Sequence, residues 1–325
     1  MITLPPLYPL KFSPILKEKV WGGNKLQKLF HKTAKGYVGE SWEISGVEDS
    51  ISEIANGPLK GHTLNWILKN YKEKLVGEKV YQEFGNQFPL LFKFIDARED
   101  LSVQVHPDDF LAKERHNSFG KTEMWYILNV ENDSKLIVGF NKEINQKQYV
   151  HYLSEGKITE ILNTIPINKD DAFVLKPGTV HAIGAGVLLA EIQQTSDITY
   201  RIYDWDRPDT NGQMRALHTD LALGAIKFNQ SNSKIAYSPV KNLPSLISTT
   251  DFFTVNKLVL SKNYIRNLKD IPSFTVYMCI EGNAVLKSDD FLEEIKMGET
   301  ILIPAQLPEL KFSTNSASFL EVYIP

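Results

Sequence analysis

The chain has 325 residues, which at about 150 residues per domain allows two domains or one large one, with length enough for a sizeable core. Lysine plus arginine (36) against aspartate plus glutamate (39) leaves a net charge of −3 with no block of like charge, so the footprint of a general nucleic-acid binder is missing. Hydrophobic residues at 42% argue against disorder, and the longest apolar stretch, Ala182 to Ala190, is far short of the roughly 18 residues a membrane span needs.

The opening MITLPPLYPLKF lacks a basic segment followed by an apolar core, so no export signal is expected and the cytoplasm is the expected compartment. A helical pattern follows over about 62–86, where Leu64, Ile67, Leu68, Tyr71 and Leu75 recur at spacings of three and four. Next come the strand-like runs FPLLFKFI and LSVQVH. A second helix is predicted over about 107–117, because a proline and two acids after His106 suit a helix N-terminus. The runs EMWYILNV and KLIVGF precede a third helix, predicted from Gln146 to Ile161, and DAFVLKP, GVLLAEIQQ and DITYRIYDW complete a first unit over 1–225. Short Val-, Ile-, Phe- and Tyr-rich runs parted by Gly, Pro, Asn and Asp predict a mainly β fold, a sandwich or barrel that these helices decorate.

Residues 226–325 read as a second β unit. GNAVLKSDDFLEEIKMGETILIPAQLPELKFS repeats the order of signals from KLIVGF through DAFVLKPGTVHAIGAG: strand, connection, acid-bearing turn, apolar strand, proline, strand. The lone cysteine, Cys279, sits in the apolar run FTVYMCI and reads as a small buried hydrophobe. All seven histidines lie between His31 and His218, so metal chemistry is expected in the first unit only.

Three segments of that unit offer ligands. Gln104 and His106 are two apart on a strand and share a face, Glu123 opens another strand with Lys121 two positions earlier, and His181 follows the Pro177-Gly178 turn. Two imidazoles, a carboxylate and an amide oxygen form a mixed N/O set suited to a divalent ion such as zinc with a position left open. Any one histidine taken alone reads rather as an ordinary polar group at a strand end, and it is the combination that points to a metal. Lys93 interrupts the apolar run PLLFKFI, so it either snorkels at an edge or meets a buried anion. Arg201, in DITYRIYD, needs a partner, whether a structural carboxylate such as Asp197 or Asp204 or a bound ligand. Glu191, in VLLAEIQQ, is either a solvent-facing strand residue or a buried carboxyl whose pKa is raised into the range of a general base.

The segments VWGG, GESWEISG, FPLLFKFIDAREDLSVQVHPDD, GKTEMWYIL and KPGTVHAIGAGVLLAEIQQTSDITYRIYDW resemble those of the type I phosphomannose isomerases, most closely their short bacterial form, in order from about Leu10 to His218. The resemblance implies a cupin fold, an antiparallel β-barrel or jelly roll with one catalytic zinc per chain, and a degenerate second cupin without metal. It makes Gln104, His106, Glu123 and His181 the zinc ligands, brings Lys93, Ser102 and Lys121 to the substrate phosphate, and sets Arg201 at the catalytic centre; Glu191, on its apolar setting alone, is expected to be catalytic or to orient the substrate. The reaction implied is the interconversion of mannose 6-phosphate and fructose 6-phosphate by proton transfer through a cis-enediolate. The partner is then a small sugar phosphate, with neither nucleic acid nor membrane. Trp21, Glu40, Trp42 and Glu43 match family blocks without an assigned role, His218 reads as structural, and His31, His62, His116 and His151 as surface residues. Two other classes fit parts of the pattern: a metal-dependent cupin dioxygenase, and a non-catalytic sugar-phosphate-binding relative. No dinucleotide fingerprint or phosphate-binding P-loop occurs in the sequence.

Overall fold

The computed structural model describes residues 4–209, 212–228, 233–289 and 291–325. Its strands form three open sheets in which every strand pairing is antiparallel. The jelly-roll expectation is met by stacked sheets rather than a closed barrel.

A five-stranded sheet runs Tyr200–Tyr203, Val103–Val105, His181–Ile183, Lys135–Phe140, Leu162–Pro166. It packs on a seven-stranded sheet whose central strands are Glu123–Val130, Val187–Gln194 and Leu90–Ala97. Strand alternation explains the long apolar runs. Ile95, Trp125, Ile127 and Leu189 point toward the five-stranded sheet, while Phe92, Phe94, Tyr126 and Ile192 point the other way onto residues of the C-terminal sheet. With both faces covered, Lys93, Glu123 and Glu191 share the inward face, and Glu191 and Ile192 are both buried. Glu191 is therefore not a solvent-facing residue.

The helices differ from the sequence expectation at their ends. The segment over 62–86 is three short helices, Leu64–Tyr71, Glu73–Val76 and Glu78–Phe84, broken at Lys72 and at Gly77, both with positive φ. The next helix, Asp109–His116, is capped by Asp108, whose side chain accepts from the Leu111 amide, and Pro107 precedes the cap. The third begins at Gln146 with an Asn145–Gln148 capping box but ends at Ser154, and a separate 3-10 turn spans Ile158–Ile161. Gly156, at φ +68°, turns the chain between them.

The repeat read from the sequence is matched, since Ala172–Leu175 pairs with Glu123–Val130 and His181–Ile183 with Lys135–Phe140 as Thr300–Ile303 and Glu309–Ser313 pair with the two halves of Thr275–Ser288, and the likeness extends beyond it. Leu90–Ala97, Val187–Gln194 and Glu123–Val130 lie side by side as Thr254–Leu260, Ala317–Tyr323 and the first half of Thr275–Ser288 do. Val103–Val105 pairs with His181–Ile183 as Tyr264–Asn267 pairs with Glu309–Ser313. The registers also correspond: Glu191 lies between Lys93 and Trp125, and Glu321 between Asn256 and Tyr277. The chain crosses the 225/226 division in both directions. Leu10–Lys11 joins the C-terminal sheet beside Thr300–Ile303, and Lys234–Ile235 joins the first unit beside Ala172–Leu175. No helix among the described residues is long and apolar enough to cross a membrane.

Candidate active site

His106, Glu123 and His181 converge: one ligand atom from each lies within 4.8 Å of the others, and all three residues are buried. Glu123 Oε1 is 3.2 Å from His181 Nε2, and Glu123 Oε2 is 3.6 Å from His106 Nε2. The other ring nitrogen of each histidine meets a backbone carbonyl, His106 Nδ1 at Ile198 O (2.8 Å) and His181 Nδ1 at Thr179 O (2.9 Å). A carbonyl only accepts, so each Nδ1 carries the proton and each Nε2 turns a lone pair to the centre, the tautomer a metal-binding histidine needs. Burial, then Lys121 and the neighbouring imidazole, holds His106 well below its ordinary pKa. Burial likewise lowers His181 against the pull of Glu123. Both rings are neutral near neutrality. Glu123 Oε1 is buried without a hydrogen-bond partner, the state of an acceptor kept for a cation.

Gln104 is at the same centre, its Nε2 3.2 Å from His181 Nε2. A ligand role needs the amide oxygen, which a half-turn of the amide presents from the same position. Cross-strand pairing fixes this row of side chains, because Gln104 stands opposite His181 on one side and opposite Arg201 on the other. Arg201 is thus one strand spacing, about 5 Å, beyond Gln104.

A cavity of about 300 Å³ opens beside the row, walled by Lys19, Trp21, Glu40, Lys93, Ser102, Gln104, Lys121, Glu191, Asp197, Thr199, Arg201 and Arg215. Of the residues singled out in the sequence, Lys93, Ser102, Gln104, Lys121, Glu191 and Arg201 line it, and His106, Glu123 and His181 stand behind Lys121 and Gln104. A larger cleft of about 840 Å³, walled in part by Asp109, Phe110 and His116, shares Asp197 with it but holds none of the metal-capable group.

The wall's charges pair closely. Lys93 Nζ donates to Glu191 Oε1 (2.9 Å) and to Gln193 (2.8 Å), and Trp125 Nε1 donates to Glu191 Oε2 (2.8 Å). Lys121 Nζ is 2.6 Å from Glu123 Oε2 and 3.2 Å from His106 Nε2. The raised pKa expected of Glu191 is reversed. Burial pushes its carboxyl up, but Lys121 and Lys93 outweigh that and hold it well below the ordinary 4.5. Lys93 is correspondingly raised, Glu191 and Glu40 overcoming burial. Arg201 bonds neither Asp197 nor Asp204. Its Nη1 donates to Ala216 O (2.8 Å), its Nε is buried without a partner, and Asp204 is taken by Arg215 and Arg207. Burial and the nearby Arg215 lower the Arg201 pKa.

Sequence reasoning missed Trp125 and Gln193, although each is two residues along a strand from a named site residue and so on its face. Arg215 and Lys19 had no such signal. His218 braces Arg201: its Nδ1 accepts from the Arg201 amide (3.1 Å) and its own amide donates to Arg201 O (2.7 Å). Trp21 and Glu40 wall the cavity, whereas Glu43 lies apart, paired with Lys32.

The family description "Phosphomannose isomerase type I, catalytic domain" matches residues 9–126, and "Mannose-6-phosphate isomerase, cupin domain" matches residues 245–324. Mannose-6-phosphate isomerase ManA of Bacillus subtilis (strain 168) is 35% identical, over 93% of this chain and 95% of its own. The chain belongs to the type I phosphomannose isomerases. The mannose-6-phosphate isomerase of Streptococcus mutans is 34% identical over 94% of this chain and 95% of its own. The crystal structure of the Bacillus subtilis mannose 6-phosphate isomerase superposes with a TM-score of 0.88 at 33% identity, covering 97% of this chain and 99% of that one.

Proposed function

We propose that the chain catalyses the reversible isomerisation of mannose 6-phosphate and fructose 6-phosphate, as the names of its relatives say of them, and that it does so with one divalent ion, zinc, held by Gln104, His106, Glu123 and His181. The observation that carries this reading is the pair of tautomer-fixed imidazoles and the unpartnered Glu123 oxygen, converging at Gln104, the cross-strand neighbour of Arg201, beside a cation-rich cavity. A bound ion of this kind supplies Lewis acidity and a fixed point for sugar oxygens.

The reaction removes a proton from C2 of the open-chain aldose, carries the charge as a cis-enediolate, and returns a proton at C1. Arg201 is assigned to the developing oxyanion, since its buried Nε has no competing partner and a half-buried guanidinium already held at Nη1 acts there with little reorganisation. Glu191, low in pKa and bonded on both oxygens, is assigned to orienting Lys93 rather than to proton abstraction. Lys93 and Lys121 are engaged by Glu191 and Glu123, so we assign them to the reacting end of the sugar, with Ser102 as a hydroxyl in the cavity wall. The first unit carries the chemistry and the second is a metal-free cupin. Among the described residues the one group of converging histidine, cysteine, aspartate and glutamate side chains that could hold a metal is His106, Glu123 and His181, all in the first unit. The cytoplasm suits this reading, and Cys279 is buried with its thiol pushed up to about 12.

A coupled assay for fructose 6-phosphate formed from mannose 6-phosphate tests the proposal. The expected result is turnover that a chelator abolishes and zinc restores. No turnover by the zinc-loaded protein would overturn it, and oxygen consumption would favour the dioxygenase class instead.

A further inference from the structure

Apart from Lys19, which pairs with Glu40, the cations of the cavity fall into two groups. Lys93 and Lys121 are deep, about 7% and 5% exposed, and each is closed in an ion pair with a buried carboxylate. Moving either onto a substrate dianion would strip a buried carboxylate of its partner, a costly exchange. Farther out along the row from His181 through Gln104 stands Arg201, and beside it Arg215, whose side chain is about 21% exposed. Two guanidiniums side by side repel unless an anion joins them. The one carboxylate that touches Arg215 among the described residues, Asp204, is 3% exposed and lies on one edge of its fork, accepting from Nε (2.6 Å) and from Nη2. Arg215 Nη1 donates to no group among the described residues, and the side chain it belongs to lines the cavity wall.

We propose that Arg215 binds the phosphate of the sugar substrate and that Asp204 is a positioning residue that holds the Arg215 fork toward the cavity. The assignment rests on the sugar-phosphate function proposed above and deepens it. An open-chain hexose with its carbonyl end at the His106–Glu123–His181 centre passes Arg201 at the strand spacing and brings C6 toward Arg215, the cation beside Arg201. A planar fork with one edge fixed by a carboxylate is preorganised for two parallel hydrogen bonds to a phosphate, which a flexible ammonium is not. Asp204 also accepts from Arg207 Nη2 (3.2 Å), so removing Arg215 leaves this buried carboxylate paired.

Calorimetric titration of the zinc-loaded protein with a hexitol 6-phosphate, which has no carbonyl to react, and with the unphosphorylated hexitol tests the assignment. The parent protein should prefer the phosphorylated ligand. Arg215→Met should weaken that ligand tenfold or more and leave the unphosphorylated one unchanged. In turnover, KM for mannose 6-phosphate should rise similarly while kcat stays within about threefold. Arg215→Lys, which keeps charge but loses the fork, should fall between. Asp204→Asn should raise KM by less than Arg215→Met and leave kcat near the parent value, a split that a merely structural role would not produce. Parent-like affinity for the phosphorylated hexitol in both Arg215 variants, or equal weakening of the two ligands, would overturn the assignment while leaving the isomerase reading intact. A parent protein that turns over no mannose 6-phosphate and does not prefer the phosphorylated hexitol would overturn both.

Discussion

Glu191 accepts from Lys93 on one oxygen and from Trp125 on the other, so its proton affinity is set by neighbours rather than by burial alone. A carboxyl depressed below its ordinary value contributes stability that is complete above that value and is lost only as pH falls through the lower folded one. Its titration therefore lies below the range of about pH 5 to 7 in which a general base would shape the rate. Glu191→Gln should lower kcat yet leave the apparent pKa of the acidic limb where it is; disappearance of that limb in the variant would make Glu191 the base after all. Arg201→Ala should lower kcat by on the order of a hundredfold, as loss of a preorganised oxyanion donor does, with metal content unchanged. Near-parent turnover would remove Arg201 from the chemistry. The candidate site was legible where strand alternation works, as at Gln104 and His106; Glu123 and His181 joined them through the family resemblance, and alternation left Glu191 open because both faces of its strand are covered. The Glu191 pKa was not legible, because its direction depends on Lys121 and Lys93, which arrive from other strands.

Local pattern identified the strands and the amphipathic face of Leu64, Ile67, Leu68, Tyr71 and Leu75, all of them buried. It did not show that the helix breaks at Gly77, because the break is made by docking. Ala305 N donates to Leu75 O, Gln306 N to Lys74 O and Phe274 N to Val76 O, tying the middle helix to the C-terminal unit. Gly77 lies in that contact at φ +93°, and a Cβ there would sit 2.3 Å from Pro272 O. Gly77→Ala should cost about 2 kcal/mol or more, the strain of the backbone conformation plus the clash. Denaturant unfolding of the variant measures this, and unchanged stability would show that the docking is loose. Arg215 illustrates the limit of element-level reading: it lies between the strand Tyr200–Tyr203 and the helix Thr219–Ala225, outside any periodic segment.

The two units share more than their topology. In the second, Tyr277 OH and Asn256 Nδ2 donate to Glu321 as Trp125 and Lys93 donate to Glu191, and Arg266 pairs with Glu321 through Nε and Nη2. With a neutral Asn256 where the first unit has Lys93, the charge that balances the buried Glu321 comes from Arg266. The proposed division at 225/226 is one of chemistry rather than of folding. Residues from Leu7 to Ile324 share one core cluster, and Tyr237, Tyr126, Asp170 and Lys257 join the units by hydrogen bonds and an ion pair. Calorimetric unfolding is accordingly expected to give a single transition; two resolved transitions would show independent units.

The claim that the four ligands from three segments serve the isomerisation is tested most directly by measuring bound zinc and the rate of fructose 6-phosphate formation on the same samples as zinc is added to stripped protein. The rate is expected to rise in proportion to bound metal and to level off at one ion per chain, with His181→Ala and Glu123→Ala binding little and turning over little. A rate independent of bound zinc in a folded protein, or full loading of His181→Ala, would contradict the account.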